Sequence, residues 1–518
     1  MYRILTASSD AYITNKILNN KFRVTDSNTG QSATLDLFKL YAESTSGSDK
    51  SPKELSRLLI KFNLKPLREL TGSTLDINHS SFKCQLELYD VYGGQTTPNN
   101  FKLIVFPLSK SFDEGMGRDV VLFQDLDTVN FLTSSIVNTA TPVTWSKPGA
   151  NDIGLLNSTT IDVIASGNLN DGNGTVDLWK QQVFKTGEEN LSIDVTTVIS
   201  GTLAGLIPDN GFRISFSGTQ ETDAVTRFVK RFGSRHCTDP SLRPRLVVTY
   251  NDSTQDHHKI FYFDISGSLF LNNFHRGAAA NILSGASGTE ITASNSLILE
   301  LRSGSKSKGT YFSKIVTGSQ HKIGNNYISG TYSASFSISQ FSGTNKGEIR
   351  NNSLRNEIKN AGSATLKEIW GSLDGTVGYL TSSIIINSVD RTSFDNKPSR
   401  LIVSITNMVS EYRLNERARL RVFVEDVGGT IQAKKLPIEN VSEIFTKMYY
   451  RVRDFVSGDV IIPFHKNGTI LSTDSTGMYF DLYMDSLHRG RLYVIDFKIS
   501  DKGFDQVFED VAAKFRVV

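Results

Sequence analysis

The stretch Asn168-Leu-Asn-Asp-Gly-Asn-Gly-Thr-Val-Asp177 carries a set of candidate calcium ligands. The side chains of Asp171, Asn173 and Asp177 supply oxygen atoms at a spacing that resembles calcium-binding loops. The stretch lacks the bidentate glutamate that completes such a loop, and its glycines are typical of a hairpin turn. We therefore expect a long polar hairpin loop, and the question of a bound cation stays open at this point.

The eight histidines are the other candidate metal ligands and acid–base groups, at positions 79, 236, 257, 258, 275, 321, 465 and 488. None has the neighbours of a zinc motif such as His-Glu-x-x-His. The adjacent pair His257-His258 is a weak metal candidate, and we expect it to be a solvated pair in a linker. Asp113 and Glu114 are a candidate carboxylate pair, but their glycine-rich surroundings favour an ordinary turn.

Motifs of nucleophilic or phosphate chemistry are absent from the sequence, which has no Gly-x-Ser-x-Gly elbow, Walker loop or Rossmann glycine fingerprint. We predict a non-enzymatic protein with no catalytic, cofactor-binding or metal-binding residues and no cofactor. A β-sandwich polysaccharide lyase or hydrolase stays open as an alternative. The separation of two catalytic carboxylates depends on the fold and not on sequence spacing.

Composition narrows the classes of partner. The 518 residues include 56 basic and 53 acidic side chains, a net charge of +3. This balance gives no footprint for a nucleic-acid or anionic-membrane partner, and no apolar stretch approaches the roughly 20 residues of a membrane helix. The first residues lack the apolar core of a secretion signal, so we expect synthesis in a cytoplasm. Cys84 and Cys237 have no CxxC spacing and are predicted to be buried free thiols.

The sequence predicts that the candidate functional side chains are positioned by β-strands. Short runs such as Cys84-Gln-Leu-Glu-Leu88 and Phe212-Arg-Ile-Ser-Phe216 alternate or concentrate apolar residues and end in turn-forming residues. In Asp209-Asn-Gly-Phe212 the Asn-Gly pair predicts a tight turn before the next strand. Helical periodicity is limited to short stretches at 52–55, 194–200, 361–370 and 438–445. The pattern predicts an all-β fold of tandem antiparallel β-sandwiches, jelly-roll and immunoglobulin-like, with few short helices.

Two similar stretches suggest how the modules are arranged. Arg243-Pro-Arg-Leu-Val-Val-Thr-Tyr250 resembles Lys397-Pro-Ser-Arg-Leu-Ile-Val-Ser-Ile-Thr406, with proline and arginine at the threshold of a β-branched run. Proline is tolerated at the first residue of a strand. If each stretch closes a module, the chain has three domains, at 1–252, 253–410 and 411–518, and a polar hinge at 251–256.

The first module also carries an ordered series of motifs. They are Asp10-Ala-Tyr-Ile13, Ser56-Arg-Leu-Leu-Ile-Lys-Phe-Asn-Leu64, Phe82-Lys-Cys-Gln-Leu-Glu-Leu88, Ser111-Phe-Asp-Glu-Gly-Met-Gly117, Val143-Thr-Trp-Ser-Lys-Pro-Gly149, Ile193-Asp-Val-Thr-Thr-Val-Ile199, Pro208-Asp-Asn-Gly-Phe-Arg-Ile-Ser-Phe216 and the stretch ending at Tyr250. This order resembles the DNRLRE-type β-sandwich family, which is similar to carbohydrate-binding modules and occurs in adhesive, cell-surface and phage virion proteins. The resemblance covers roughly the first half of the chain.

The resemblance and the missing secretion signal together favour a bacteriophage virion protein, which assembles inside the cell, over an exported bacterial adhesin. The sequence shows neither heptads nor a β-helical period, which disfavours a fibre shaft. We therefore expect an accessory neck, tail or baseplate component that binds other virion proteins in a symmetric ring or tail, located in the virion. Fold analogy constrains function weakly.

The alternative is a carbohydrate-binding or host-adhesion protein whose partner is a host surface glycan. Exposed aromatic rings would support it, but the three tryptophans, Trp145, Trp179 and Trp370, are few, and Trp145 is expected to plug the core. The cluster of Arg413, Arg417, Arg419 and Arg421 is interpreted as one basic strand face, with an acidic partner surface as the alternative. The apolar C-terminal stretch is expected to pack in a sheet or against a neighbour.

Overall fold

Most of the chain is described by a computed structural model. It covers residues 1–43, 53–94, 96–121, 125, 128–138, 141–285, 288–305, 310–338, 354, 358–388, 399–428, 442–501, 503–511 and 514–518. Strands dominate these residues and the helices are short, so the predicted all-β class is confirmed. No helix among the described residues is long and apolar enough to cross a membrane.

The chain forms two compact units. The N-terminal unit comprises Arg3–Thr71 and Ile77–Thr249, and the C-terminal unit comprises Met1–Tyr2, Gly72–Asp76 and Tyr250–Val518. The three-domain division at 252 and 410 stays a prediction.

The N-terminal unit contains one large antiparallel sheet with short additions. Its strands are β1 (Tyr2–Thr14), β2 (Ile17–Leu18), β3 (Phe22–Arg23), β4 (Thr34–Tyr41), β5 (Lys53–Phe62), β6 (Lys83–Leu88), β7 (Phe101–Pro107), β8 (Thr133–Asn138), β9 (Thr141–Thr144), β10 (Ile153–Leu155), β11 (Val163–Asn168), β12 (Thr175–Asp177), β13 (Lys180–Phe184), β14 (Leu191–Asp194), β15 (Phe212–Phe216), β16 (Arg227–Gly233) and β17 (Arg245–Thr249). The helices are α1 (Lys65–Arg68) and α2 (Thr196–Leu203), with 3-10 turns at Gly218–Glu221 and Pro240–Leu242. The ten-stranded sheet runs β13-β7-β15-β5-β1-β17-β6-β14 and branches from β5 to β4 and β16.

The predicted tight turn before β15 is confirmed. Gly211 has a φ of +89°, and a Cβ atom there would lie 2.3 Å from the carbonyl oxygen of Ile60. Glycine is therefore required both by the left-handed backbone and by the close approach of β5.

The helix predictions have mixed outcomes. The helix predicted at 194–200 is confirmed as α2. The prediction at 52–55 is wrong, because its described residues begin β5, which pairs with β1 and β15. The prediction at 361–370 is also wrong, because Ser363–Gly371 is a strand whose buried residues recur at every second position. Of the stretch 438–445, residues 438–441 lie outside the described residues, and 442–445 are not helical.

The first part of the C-terminal unit forms a seven-stranded sheet. The strands of this part are β18 (Phe261–Tyr262), β19 (Ser266–Asn272), β20 (Phe274–His275), β21 (Ala278–Ala279), β22 (Leu283–Ser284), β23 (Thr289–Glu290), β24 (Leu297–Ser305), β25 (Thr310–Ile323), β26 (Asn326–Ser337), β27 (Ser363–Gly371) and β28 (Gly378–Asn387). The sheet order is β18-β28-β27-β24-β25-β26-β19. Since β18 and β19 are neighbours in the chain but lie at opposite ends of this order, the sheet curls around its core, which includes Leu299, Tyr332 and Trp370.

A two-sheet sandwich completes the C-terminal unit. Its strands are β29 (Leu401–Ile405), β30 (Glu411–Tyr412), β31 (Arg417–Asp426), β32 (Met448–Asp454), β33 (Val460–Ile462), β34 (Ser472–Asp474), β35 (Gly477–Tyr483), β36 (Leu492–Asp501), β37 (Phe504–Phe508) and β38 (Phe515–Val517), with a 3-10 turn at Met484–Ser486. One sheet has the order β29-β31-β35-β34, and the other has the order β30-β38-β36-β32-β33 with β37 beside β36. Phe480 joins the two, stacking on Tyr450 at 4.3 Å and meeting Phe497 edge-on at 5.9 Å.

The two similar stretches occupy different places in their sheets. Strand β17 lies between β1 and β6, whereas β29 pairs with β31 as the first strand of the C-terminal sandwich. Residues 397 and 398 of the second stretch lie outside the described residues. The C-terminal stretch does pack in a sheet, as expected, since β38 pairs with β30 and β36.

Candidate functional site

The candidate calcium loop is an exposed turn stabilised by its own side chains. The carboxylate of Asp171 accepts hydrogen bonds from the backbone N of Asn173 at 3.0 Å and from its Nδ2 at 3.1 Å. Asp177 belongs to β12, opposite Ser166. Within the described part of the chain, no three His, Cys, Asp or Glu side chains are grouped as metal ligands would be.

The prediction that His257 and His258 form a solvated linker pair is wrong for His258. This side chain is buried, with Nδ1 2.5 Å from Oδ1 of Asp256 and Nε2 2.7 Å from Oε2 of Glu368. Burial alone would lower the pKa of His258, but the hydrogen bonds to Asp256 and Glu368 outweigh it and raise the pKa to about 10. A protonated imidazole therefore joins the linker to β27, and Trp370 donates from Nε1 to the other oxygen of Glu368 at 2.6 Å.

The predicted hinge at 251–256 is bonded to the C-terminal sandwich. The backbone N of Thr473 donates to the carbonyl of Thr254 at 2.9 Å, and the backbone N of Asp256 donates to Oγ1 of Thr473 at 2.7 Å. Gln255 forms a parallel bridge with Thr473. This segment thus adds a short strand beside β34.

Asp113 and Glu114 do not act as a pair. Oδ2 of Asp113 accepts a hydrogen bond from the backbone N of Ile136, whereas Oε1 of Glu114 accepts from Nε of Arg235 at 2.7 Å and from the backbone N of Asp10 at 2.9 Å. The interpretation as an ordinary turn therefore misses the role of Glu114. Its carboxylate is part of a charged network that ties the glycine-rich loop to the first strand.

Asp10 is the most perturbed acid of this network. Burial raises the pKa of Asp10 to about 8, with a smaller contribution from the charge of Glu114, against the hydrogen bond from the backbone of Arg235. Its side chain is only 1% exposed, and its Oδ1 has no hydrogen-bond partner among the described residues. A group this buried does not reach a substrate, so we interpret the network as structural.

The predictions for cysteine and tryptophan agree with the structure. Cys84 and Cys237 are buried free thiols. Trp145 is buried in the core and donates from Nε1 to the carbonyl of Asn130 at 3.0 Å, which confirms the expected plug. Trp370 is buried and Trp179 is half-buried against the same core as Trp145, so neither Trp145 nor Trp370 offers a ring face to a glycan.

A polar cleft of about 520 Å³ lies within the C-terminal unit. One wall is the outer face of β31, β34 and β35, and the opposite wall comes from β19, β25 and β26. Asp252 and Thr254, from the segment before β18, also line it. The hydroxyl of Thr254 lies 3.1 Å from that of Tyr479, so this segment helps to fix the first wall.

A row of arginines lines the first wall. Because side chains alternate along a strand, Arg417, Arg419 and Arg421 share the outer face of β31, about 7 Å apart along the strand. The register places them opposite three residues of β35, pairing Arg417 with Tyr483, Arg419 with Asp481 and Arg421 with Tyr479. The guanidinium carbons of Arg419 and Arg421 lie 4.3 and 5.1 Å from the ring centre of Tyr479. Arg413 is not part of this row, since it precedes β31.

Carboxylates pair with every arginine of the row. Asp481 accepts hydrogen bonds from Nη2 of Arg417 at 2.7 Å and from both Nε and Nη2 of Arg419 at 2.9 and 3.0 Å. Asp474 accepts from Nη1 of Arg421 at 2.7 Å. Burial alone would raise the pKa of Asp481, but its bonds with Arg419 and Arg417 outweigh it and lower the pKa. Arg417, Arg419 and Arg421 therefore share one strand face as interpreted from the sequence, and each of them is already paired with a carboxylate.

The opposite wall is uncharged. Burial lowers the pKa of His321 to about 4, so its imidazole is neutral at pH 7. This ring meets Phe270 edge-on at 4.8 Å. Asn272 and Thr331 hydrogen-bond each other at 3.2 Å on the same wall, and Phe274 is 65% exposed beside them. Four cationic groups and three aspartates line the cleft, and each cation is paired: Arg417 and Arg419 with Asp481, Arg421 with Asp474, and the α-ammonium group of Met1 with Asp252.

An unpaired sheet edge is the second candidate surface of this unit. Strand β28 pairs with β27 along its whole length, but on its other side β18 meets only Ile386 and Asn387. No other described residue hydrogen-bonds to that side of 378–385. The strand, Gly-Tyr-Leu-Thr-Ser-Ser-Ile-Ile-Ile-Asn, has no charged residue and no proline.

Exposed apolar side chains follow this edge. Leu380 is 39% and Ile385 is 50% exposed, and Leu373 and Val377 are exposed just before the strand. Natural proteins commonly protect a sheet edge with lysine, proline or a bulge. This surface was not predicted from the sequence, although the long uncharged run at 376–389 indicates an edge without protecting charges.

The chain matches no protein-family model, and no curated protein matches its sequence significantly.

Proposed function

We propose that the chain is a non-enzymatic structural protein of a bacteriophage virion, an accessory component of the neck, tail or baseplate that binds neighbouring virion proteins. The observation that carries the proposal is the unpaired, uncharged edge of β28. An extended segment of a neighbouring protein adds to such an edge by main-chain hydrogen bonds, which is a common mode of assembly.

Side chains along the edge support the same role. The exposed Leu380 and Ile385 would be buried by an added strand, and the polar Thr381, Ser382 and Ser383 between them impose no charge penalty. Burial of such apolar area stabilises association by about 25 cal/mol per Å². The edge therefore combines backbone pairing with apolar contact.

The test is a pair of charge substitutions on the edge. Leu380→Lys together with Ile385→Lys places two lysines on β28, and we expect the amount of chain that co-sediments with purified virions to fall to background. Lysine on an edge strand opposes the addition of another strand. The matched control is Ile315→Lys, since Ile315 is also 50% exposed but lies on β25, which is separated from β28 by β27 and β24. Circular dichroism verifies that both variants fold.

Normal incorporation of the double variant would contradict the assignment of the edge. Equal loss in the double variant and in Ile315→Lys would contradict it as well, because the effect would then not be specific to the edge.

A further inference from the structure

The cleft of the C-terminal unit has the dimensions of a ligand site. Its volume of about 520 Å³ falls within the roughly 300–1,000 Å³ of small-molecule sites. Its walls are fixed by neighbouring strands of two sheets, and its first wall is held by the ion pairs of Arg417 and Arg419 with Asp481. The cleft is therefore a preformed polar site.

We propose that this cleft binds a neutral saccharide. The first argument is the pairing of donors with acceptors along the wall. Each arginine–aspartate pair presents N–H donors beside carboxylate acceptors, and a sugar hydroxyl both donates and accepts hydrogen bonds. Nη1 of Arg419 bonds no other described residue, and the second nitrogen of the Arg421 fork, Nη2, is likewise without a described partner. Adjacent hydroxyls of a sugar can bond to these neighbouring N–H donors and carboxylate acceptors.

The ion pairs that already exist in the cleft disfavour an anionic ligand. The carboxylates of Asp474 and Asp481 already pair with the guanidinium groups of the row, and Asp252 pairs with the α-ammonium group of Met1, so each cation among the lining residues already has a carboxylate partner. A sulfate, phosphate or uronate would either lie beside the negatively charged carboxylates of Asp474 and Asp481 or displace them from their arginines, and both arrangements are unfavourable. A neutral polyol binds without breaking any of these pairs.

An aromatic ring supplies the apolar contact. Phe274 is 65% exposed where it lines the cleft, so one face of its ring is free to cover the C–H face of a sugar. Tyr479 does not serve this purpose, because the guanidinium groups of Arg419 and Arg421 already lie over its ring. Phe274 is therefore the ring that we assign to the ligand.

This inference is independent of the assembly role, because the cleft and the edge of β28 share no residue. Loss of glycan binding in a chain that still enters virions would overturn the present proposal alone.

The experiment is calorimetric titration of the full chain with hexasaccharides of glucose (α- and β-linked), mannose, galactose and xylose, and with hexagalacturonate as the anionic counterpart. We expect binding of at least one neutral hexasaccharide that changes little between 50 and 500 mM NaCl. Phe274→Ala should weaken it about tenfold, the effect of one lost ring contact. Arg419→Lys, which keeps the charge but removes the fork, should weaken it by a similar factor.

The control variant is Val456→Ala, which alters a residue that is 84% exposed and does not line the cleft, and its affinity should equal that of the unaltered chain. Three results would overturn the proposal. They are no binding of any neutral hexasaccharide, preferential binding of hexagalacturonate with a strong salt dependence, and neutral binding that Phe274→Ala and Arg419→Lys leave unchanged.

Discussion

Asp481 and Arg419 form a bidentate pair, with Oδ1 2.9 Å from Nε and Oδ2 3.0 Å from Nη2. The same carboxylate also binds Arg417, so a single aspartate on β35 pairs with two arginines of β31. With Asp474 paired to Arg421, the three arginines and two aspartates of this wall carry one net positive charge instead of the three that the sequence of β31 suggests.

Asp481→Ala tests this relationship. We expect the free energy of unfolding to fall by about 1–2 kcal/mol, a value reduced because both arginines are nearly half exposed. Affinity for hexagalacturonate should rise, since two guanidinium groups lose their counter-charge. Urea denaturation and calorimetry measure the two effects. Asp505→Ala, which removes an exposed partner of Lys498, should change neither, and an unchanged response to Asp481→Ala would contradict the account.

His258 predicts a decline of stability in alkaline solution. Its pKa is raised from 6.5 to about 10 in the folded chain, so its contribution to stability is complete below pH 6.5 and is lost as the pH rises towards 10. The free energy of unfolding should fall across this window, by up to about 1.4 kcal/mol per pH unit. Denaturant titrations at pH 6, 8 and 10 measure this slope.

The substitution His258→Gln distinguishes the effect of His258 on stability from the effects of other groups that titrate in that pH range. His258→Gln should destabilise the chain most at pH 6, because two buried carboxylates then lack a cation, and the two proteins should converge near pH 10. The exposed His275→Gln is the control and should leave the pH profile unchanged. A constant difference between pH 6 and pH 10 would rule out a charged His258.

Asp10 predicts a second pH dependence of stability, which the substitution of its carboxyl by an amide should remove. Because burial raises its pKa from 3.8 to about 8, the folded chain holds a proton that the unfolded chain releases, and stability falls as the pH rises between these values. Asp10→Asn should therefore match the unaltered chain at pH 3 and be more stable at pH 9. Thermal unfolding at both pH values measures this, and a variant that is less stable at pH 9 would refute the buried neutral acid.

Trp145→Phe tests the core plug of the N-terminal unit. The substitution removes the hydrogen bond from Nε1 to the carbonyl of Asn130 and reduces the volume of a buried ring, so we expect a loss of about 1–3 kcal/mol. Trp179→Phe should cost less, because Trp179 is only half-buried against the same core. Denaturant midpoints compare the two, and equal effects would contradict the role of the Trp145 hydrogen bond.

The sequence predicts strands well where burial alternates, as in β31, whose residues Ala418, Leu420 and Val422 point inward. It fails at β27, because Leu366 and Trp370 are four residues apart and suit a helix as well as a strand. Long-range partners are invisible to local patterns. His258 is buried by Glu368, 110 residues away, and Arg419 meets Asp481 only through the register of β31 and β35.

We propose that the chain is a structural part of a virion, and quantitative mass spectrometry of virions, purified by density gradient from infected cells that make the chain, is the test. We expect the chain to be present after purification, at a fixed copy number that matches a ring of the neck, tail or baseplate. A chain that stays in the soluble fraction, or that varies in amount from one preparation to another, would contradict the claim.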